Sequence, residues 1–590
     1  MRRLRVFLCV AAVVATAFIC SAADRILFLR IAPKQANLFI SNADGSGERA
    51  LTPPGSLDYN PSWSSRGDWI VFTSERAGSA DLYRIHPDGT GLDRLTDDPA
   101  FDDQGAFSPD GNKVVFVTTR AAGTANLWIL DAATHKATPL TSGHGGDFRP
   151  AWSPDGKWIA FSSDRESNLA PAKGRWERLH QVDIYLVRPD GTGLKRISEH
   201  GNFCGSPKWA LDSRSVIAYC MSAEETYTYR FGDKDGETKL VQTDIVTGET
   251  KPVSVGPGVK MFPSLLPSGE TAYLRFDKSV QGVFYAGGKS GPKGSDLNSP
   301  SWSPDGAKLV YSRYTEKHNP EPNKVWSRTP KYELSTTEFL PACDPVSERF
   351  AVTKGNYEAE TMSLFVVEEG KPARSVLERQ DMILGPQWSP DGMQIIFGIG
   401  GFPLFDTFGH GPAHVGIVNA DGSGFHLITF GPNNNAFPSF SPDAKRIVFR
   451  TTGPDGEGLR IMTLEDRTVT VLTKDYDNFP VWSPRGDLIA FIRKIGDDFE
   501  IFTIRPDGKN LNQLTHTKGN DAHLAWSPDG ERLVFTSSRM GFKDEALLTD
   551  GGPQPYGEIF VMKYDGTQIE QLTDNQWEDG GPAWQHISSK

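Results

Sequence analysis

The phrase Trp-Ser-Pro-Asp-Gly recurs along the chain, beginning at Trp152, Trp302, Trp388 and Trp526. Near-copies begin at Trp63, Phe107, Phe440 and Trp482. Repetition at roughly 40–50 residues is the mark of a propeller or solenoid, because one unit alone cannot bury its apolar face. Within the phrase, Pro fixes φ at the second position and Asp-Gly accepts the bend, so it reads as a tight turn between strands.

One unit shows the whole pattern. Residues 150–152 form a short inner strand and residues 153–156 the turn. Residues 157–162 alternate as a second strand, and a variable loop follows. Residues 183–187 make a third strand, 188–193 a second turn and 194–198 an outer strand. Four antiparallel strands repeated radially make a propeller blade. The second turn returns as Asp44-Gly45, Asp88-Gly89, Asp421-Gly422, Asp507-Gly508 and Asp565-Gly566.

Inner-strand motifs fall at 63, 107, 152, 209, 265, 302, 340, 388, 440, 482 and 526, and another opens at Pro582-Ala583-Trp584. Residues 25–52 hold strands and the Asp44-Gly45 turn but no inner motif. The C-terminal inner strand therefore completes an N-terminal blade, which removes exposed edges. The expected fold is all-β, with twelve four-stranded blades arranged as two six-bladed propellers or as one ring. A simple tandem puts a break after Trp302, where residues 302–313 read as an intact hairpin. A second pattern divides the units differently. Five residues before the inner aromatic stand Asp58, Asp102, Asp147, Asp477, Asp521 and Asp579; the other units carry Cys204, Lys260, Leu297, Ser335, Ile383 and Asn435. On that pattern, 24–200 is the first part of a regular propeller and 431–590 its last blades. Residues 201–430 are divergent blades, either an inserted second propeller or a continuation of one ring.

The Pro-Asp turns resemble those of TolB-like propellers, relatives of the WD-type repeats. The resemblance covers nearly all of the chain after residue 23 and implies a fold more than a function. Such a family includes periplasmic scaffold proteins and propellers attached to hydrolases or lyases. TolB carries an α/β domain before its propeller, whereas here strand-like sequence begins at Arg25. TolB's own partners are therefore not carried over.

Residues 1–23 read as a signal peptide. Arg2, Arg3 and Arg5 precede an apolar run over 6–20, and Ser21-Ala22-Ala23 suits cleavage before Asp24. That run, about 15 residues, is too short to span a bilayer. Acylation at Cys20 is the alternative, but Ala17-Phe18-Ile19 fits a lipobox poorly. The expected location is periplasmic or secreted, peripheral to a membrane at most, as a monomer. The formal charge of −12 excludes nucleic acid, whose binders are basic. In an oxidising compartment Cys204 and Cys220, placed symmetrically about a turn, can form a disulfide. The competing reading is two small buried hydrophobes.

Candidate sites follow from blade geometry. The six Asp residues belong to loops at one channel mouth, where they would attract a cation or a basic segment. Against this, Arg76, Arg120, Arg165, Arg493 and Arg539 recur after the second strand, and Asp–Arg pairs between neighbouring blades would staple the ring instead. Long loops open on the same face and bear Arg175 and Trp176, Phe402 and Phe405, and Tyr556. Exposed aromatics and arginines are the usual material of binding faces. His410 and His414 stand four apart, but Gly and Pro between them oppose a helix and no third ligand is evident, so no metal site is expected. No cofactor is implied, and the chain has no nucleophile elbow, zinc-protease motif or phosphate-binding loop. The expectation is an exported scaffold that binds an envelope protein or peptide, or a polysaccharide. The alternative is a hydrolase or lyase acting on a glycan or peptide at the channel mouth.

Overall fold

The turn chemistry is visible in every well-formed repeat of the computed structural model. It describes residues 24–585 except 122, 168–180, 227–235, 255, 278–279, 316–321, 338, 357–360, 402–410 and 546–556. In the turn at Trp152, Ser153 Oγ donates to Asp155 Oδ1 (2.7 Å), which also accepts the Lys157 N–H (3.1 Å). Ser153 Oγ accepts the Trp158 N–H (3.0 Å), closing the turn from both sides. Gly156 sits at φ +71°, a conformation L-residues adopt only at a cost. The Phe440 copy has Ala444 at this position, at φ +56°.

The Trp of the phrase joins blades. In several blades the indole N–H donates to a backbone carbonyl of the preceding inner strand: Trp152 to Ala106 (3.2 Å), Trp209 to Ala151 (3.0 Å), Trp388 to Ala342 (2.8 Å) and Trp526 to Val481 (3.1 Å); that of Trp302 donates to the Tyr285 hydroxyl of the preceding blade (3.2 Å). Apolar layers between blades form the core, such as Leu38, Ile40, Ile70, Phe72 and Val310. Each fully buried side chain of this size contributes about 1.5–3 kcal/mol.

Twelve four-stranded sheets result. The inner strands Asp58–Trp63, Asp102–Phe107, Asp147–Trp152, Asn202–Trp209, Val259–Leu265 and Leu297–Trp302 pack in that order, and the last packs against the first. The second ring runs Ala342–Cys343, Met382–Trp388, Asn434–Phe440, Asp477–Trp482, Asp521–Trp526 and Glu578–Gln585, again returning to its start. There are thus two six-bladed propellers in tandem. The grouping of residues 24–200 with 431–590 is corrected: three of the six Asp blades lie in each ring. The hairpin after Trp302 is intact because the break follows it.

Residues 25–52 do not build one blade, as the sequence suggested, but two. Asp24–Ile31 pairs antiparallel with Glu578–Gln585 and parallel with Tyr332–Thr337, so it lies inside the last blade of the second ring. Gln35–Asn42 pairs with Lys308–Thr315, and Arg49–Ala50 forms the outer edge, completing the last blade of the first ring. One N-terminal segment closes both propellers.

Cys204 and Cys220 face each other in register and form a disulfide. Among the described residues Cys343 is free, and no helix is long and apolar enough to cross a membrane.

Candidate functional site

The six Asp residues are buried and each is held by an arginine of its own blade. Asp58 accepts from Arg76 (2.9 Å), Asp147 from Arg165 (2.5 Å), Asp477 from Arg493 (2.7 Å) and Asp521 from Arg539 (2.8 Å). Asp102 is bound by Arg120 through both Nε and Nη2. Asp579 takes a two-pronged pair from Arg30 (2.6 and 2.8 Å). These pairs cross the inner hairpin instead of joining neighbouring blades. Most of the guanidiniums also lie over aromatic rings of the same blade, as Arg76 does over Phe72 and Tyr83. The carboxylates are therefore committed to arginines and do not face a channel ligand. Burial, opposed by Arg120, pushes the Asp102 carboxyl up to about 7.

The side chains that do face the channels come from a backbone irregularity. Except for the two-residue Ala342–Cys343, each inner strand shifts register in mid-course, and the residue there has positive φ. A bulge re-aims one side chain out of the pleat. In the first ring the re-aimed residues are Asn60, Gln104, Arg149, Ser206, Phe262 and Ser299. In the second they include Gly385, Phe437, Phe479, His523 and Gly581. They stand three residues before the inner aromatic. One waist is largely polar, the other apolar.

The polar waist is occupied by the chain itself. The segment Lys543-Asp544-Glu545 leaves the hairpin of Asp521–Trp526 and Arg532–Ser537 in the second ring and enters the first. Arg149 grips Asp544 through Nε (2.7 Å) and Nη2, while its Nη1 donates to Asn60 (3.1 Å) and Ser299 (3.3 Å). Glu545 accepts from Ser162 Oγ (2.6 Å), Ser206 Oγ (2.8 Å) and Tyr219 Oη (2.9 Å), and from the Ser206 N–H. Lys543 is buried between Glu558 and Asp574 (2.6 Å) of its own ring. Trp577, from the same ring, donates to Glu75 (2.8 Å) and packs edge-on against Tyr59 and Tyr314 of the first ring. Burial pushes the Asp544 carboxyl up to about 7 despite Arg149. Burial, then repulsion from Arg149, lowers the nearby Lys208 ammonium to about 8.

The apolar waist opens into a cavity of about 470 Å³, lined by Leu340, Phe437, Phe479 and His523 and by the prolines and tryptophans of the turns. Phe437 and Phe479 lie 4.1 Å apart by ring centroid, and His523 meets Phe479 edge-on at 4.8 Å. Burial lowers the His523 imidazole to about 4, so it is neutral at ordinary pH.

Arg175, Trp176, Phe402, Phe405, His410 and Tyr556 lie outside the described residues. His414 starts the strand His414–Asn419, with its ring near Phe430. A cluster the sequence did not suggest, Glu166, Asp183 and His200, brings three potential ligand atoms within 4.8 Å of one another. Arg196 Nη1 sits among them, 2.5 Å from Glu166 and 2.9 Å from His200 Nδ1, and meets their negative charge. The waist residues carried a sequence signal that went unread: a variable residue, usually followed by Pro, three places before each inner aromatic.

The family model described as TolB beta propeller domain matches residues 99–230 and 289–498, reaching into both rings. The chain belongs to the TolB beta-propeller family. It is 32% identical over 135 residues to a Protein TolB homolog of Chlorobium luteolum, covering 23% of this chain and 31% of that one. It is 24% identical over 192 residues to the uncharacterized peptidase YuxL of Bacillus subtilis, covering 32% of this chain and 25% of that one. The chain thus spans less than a third of either relative. Among solved structures, a putative TolB from Agrobacterium tumefaciens aligns at 20% identity and TM-score 0.37, over 48% of this chain and 99% of that one.

Proposed function

We propose that this TolB-family double propeller is an exported scaffold that binds a polypeptide segment in the channel of its second ring. The observation that carries this reading is the contrast between the rings. The first channel holds a loop segment of the chain itself, and the second offers an apolar cavity of about 470 Å³. Pockets of that size, apolar with a few polar groups, suit one or two side chains of a bound segment. The pairing of all six recurrent carboxylates with arginine favours binding over acid–base chemistry at the channel mouth. The leader-like residues 1–23 support export.

Peptides selected on the purified protein from a random display library test the binding reading. Phe437→Ala and Phe479→Ala, with unchanged folding, are expected to weaken the selected peptides at least tenfold. Selected peptides that bind these variants as well as the parent would place binding elsewhere. Cleavage of the peptides during incubation would favour a hydrolase. For export, mass spectrometry of the protein from the producing cell should give Asp24 as the first residue.

A further inference from the structure

The way the first ring holds Glu545 can be stated in register terms. Ser162 and Tyr219, which donate to its carboxylate, occupy one position: the second-strand residue paired opposite the residue just before the inner bulge. Ser162 pairs there with Phe148, and Tyr219 with Gly205. This position borders the channel on the loop side of the waist. In the second ring, the blade of Asn434–Phe440 has Arg450 at the same position, paired with Ala436.

Arg450 is a buried cation with no carboxylate partner among the described residues. It is 8% exposed, and its one hydrogen bond among the described residues runs from Nη2 to the Asn434 amide oxygen. Its Nε has no acceptor among the described residues. Its guanidinium carbon lies 5.2 Å from the centre of the Phe437 ring, which lines the channel. The arginine of a regular blade meets an Asp five residues before the inner aromatic; here that residue is Asn435, bound instead to Thr451 Oγ1 (2.8 Å). Burial lowers the guanidinium to about 10, the opposite direction to Arg493 in the next blade, which Asp477 raises by hydrogen bond. A buried guanidinium lacking an anion is costly unless something supplies one. Arginine's planar fork fits a carboxylate best.

We infer that Arg450 is the recognition residue for the carboxylate of an acidic residue in a bound peptide, whose apolar neighbour enters the Phe437–Phe479 channel. The second ring then takes from a partner what the first ring takes from the loop tip of its sister. This rests on the peptide-binding reading above and adds the side-chain class it selects.

Two fluorescent nonapeptide pools provide the test, identical except for a central Glu or Gln and degenerate in apolar residues around it. Anisotropy titrations on the full protein should show the Glu pool binding roughly 10–100-fold more tightly than the Gln pool. Arg450→Met should abolish that preference and Arg450→Lys should keep part of it, both with unchanged circular dichroism. Equal affinity for the two pools, or a preference that survives Arg450→Met, overturns the inference and leaves peptide binding standing. Failure of both pools to bind the parent protein defeats the peptide reading as well. Free succinate that displaces the Glu pool as well as a Glu peptide does would assign the site to small carboxylates and overturn the inference.

Discussion

The contact between Arg149 and Asp544 should couple the two propellers, and a double-mutant cycle can measure it. Asp544 accepts two bonds from Arg149, and its Oδ1 also accepts the Glu545 N–H (2.7 Å). Asp544→Asn keeps Oδ1 as an acceptor but removes the negative charge and the Nη2 acceptor, leaving Arg149 a buried guanidinium with neutral partners, Asn60 and Ser299 among them. Arg149→Met leaves a buried carboxylate with one backbone donor. Removing one member of a buried pair costs about 3–5 kcal/mol. The Asn variant belongs at the lower end, because two acceptors remain to Arg149, and the Met variant at the upper. At about 2–4 °C per kcal/mol, each should lower the melting temperature by about 6–20 °C. The double variant removes both members of the pair and should recover about 2–3 kcal/mol of the summed losses. The assay is calorimetry at pH 8, repeated at pH 5. The Asp544 carboxyl is already raised to about 7 by burial, and loss of Arg149 raises it further. A carboxyl raised in the folded state stabilises below its unfolded value and loses that stability as pH rises through the folded value. Arg149→Met should therefore be less harmful at pH 5 than at pH 8. Additivity of the two single variants within about 0.5 kcal/mol would refute the coupling.

Ala444→Gly should stabilise by about 1 kcal/mol, because it relieves the left-handed alanine of the one Asp-Ala turn; an unchanged or lower melting temperature would contradict this. Reduction of the Cys204–Cys220 disulfide, or Cys204→Ser with Cys220→Ser, should cost about 3 kcal/mol in denaturant unfolding, from a loop of 16 residues. Burial pushes the Glu500 carboxyl up to about 7, and its Oε2 has no hydrogen-bond donor. Stability from this group is full below about pH 4.5 and fades as pH rises through 7, by roughly 3 kcal/mol in all. Glu500→Gln should flatten that stretch of the stability–pH curve, and a curve of unchanged slope would show that Glu500 is ionised throughout.

The local fold was legible because Pro, Asp-Gly and the inner aromatic act within a few residues, and a turn such as 153–156 needs no distant partner. The grouping of blades was not. Every interface uses the same alternation of Val, Ile and Phe, so nothing in Trp302 says whether its neighbour is Trp63 or Cys343. The upstream Asp misled for a related reason: it reports on its own hairpin, where Asp58 faces Ser74 in register and meets Arg76 just beyond. The arginine for Asp579 could not be found by proximity, since Arg30 arrives on a strand from the other end of the chain. The plug of the first channel belongs to a long loop that the sequence singled out for Tyr556, not for its charges. Lys543, Asp544 and Glu545 acquire their roles only when two rings meet.

The shared N-terminal segment imposes a timetable on synthesis. The first ring needs nothing beyond Thr315, so it can shut while the rest of the chain is still being made. The second needs Asp24–Ile31, the earliest strand, and Glu578–Gln585, the latest. The opening strand must wait, tethered to a finished neighbour, until Glu578–Gln585 has been made. That tether keeps it within a few residues of its destination. A chain cut before Glu578 would leave one sound propeller beside an open one with bare strand edges, the form most prone to pair with other chains.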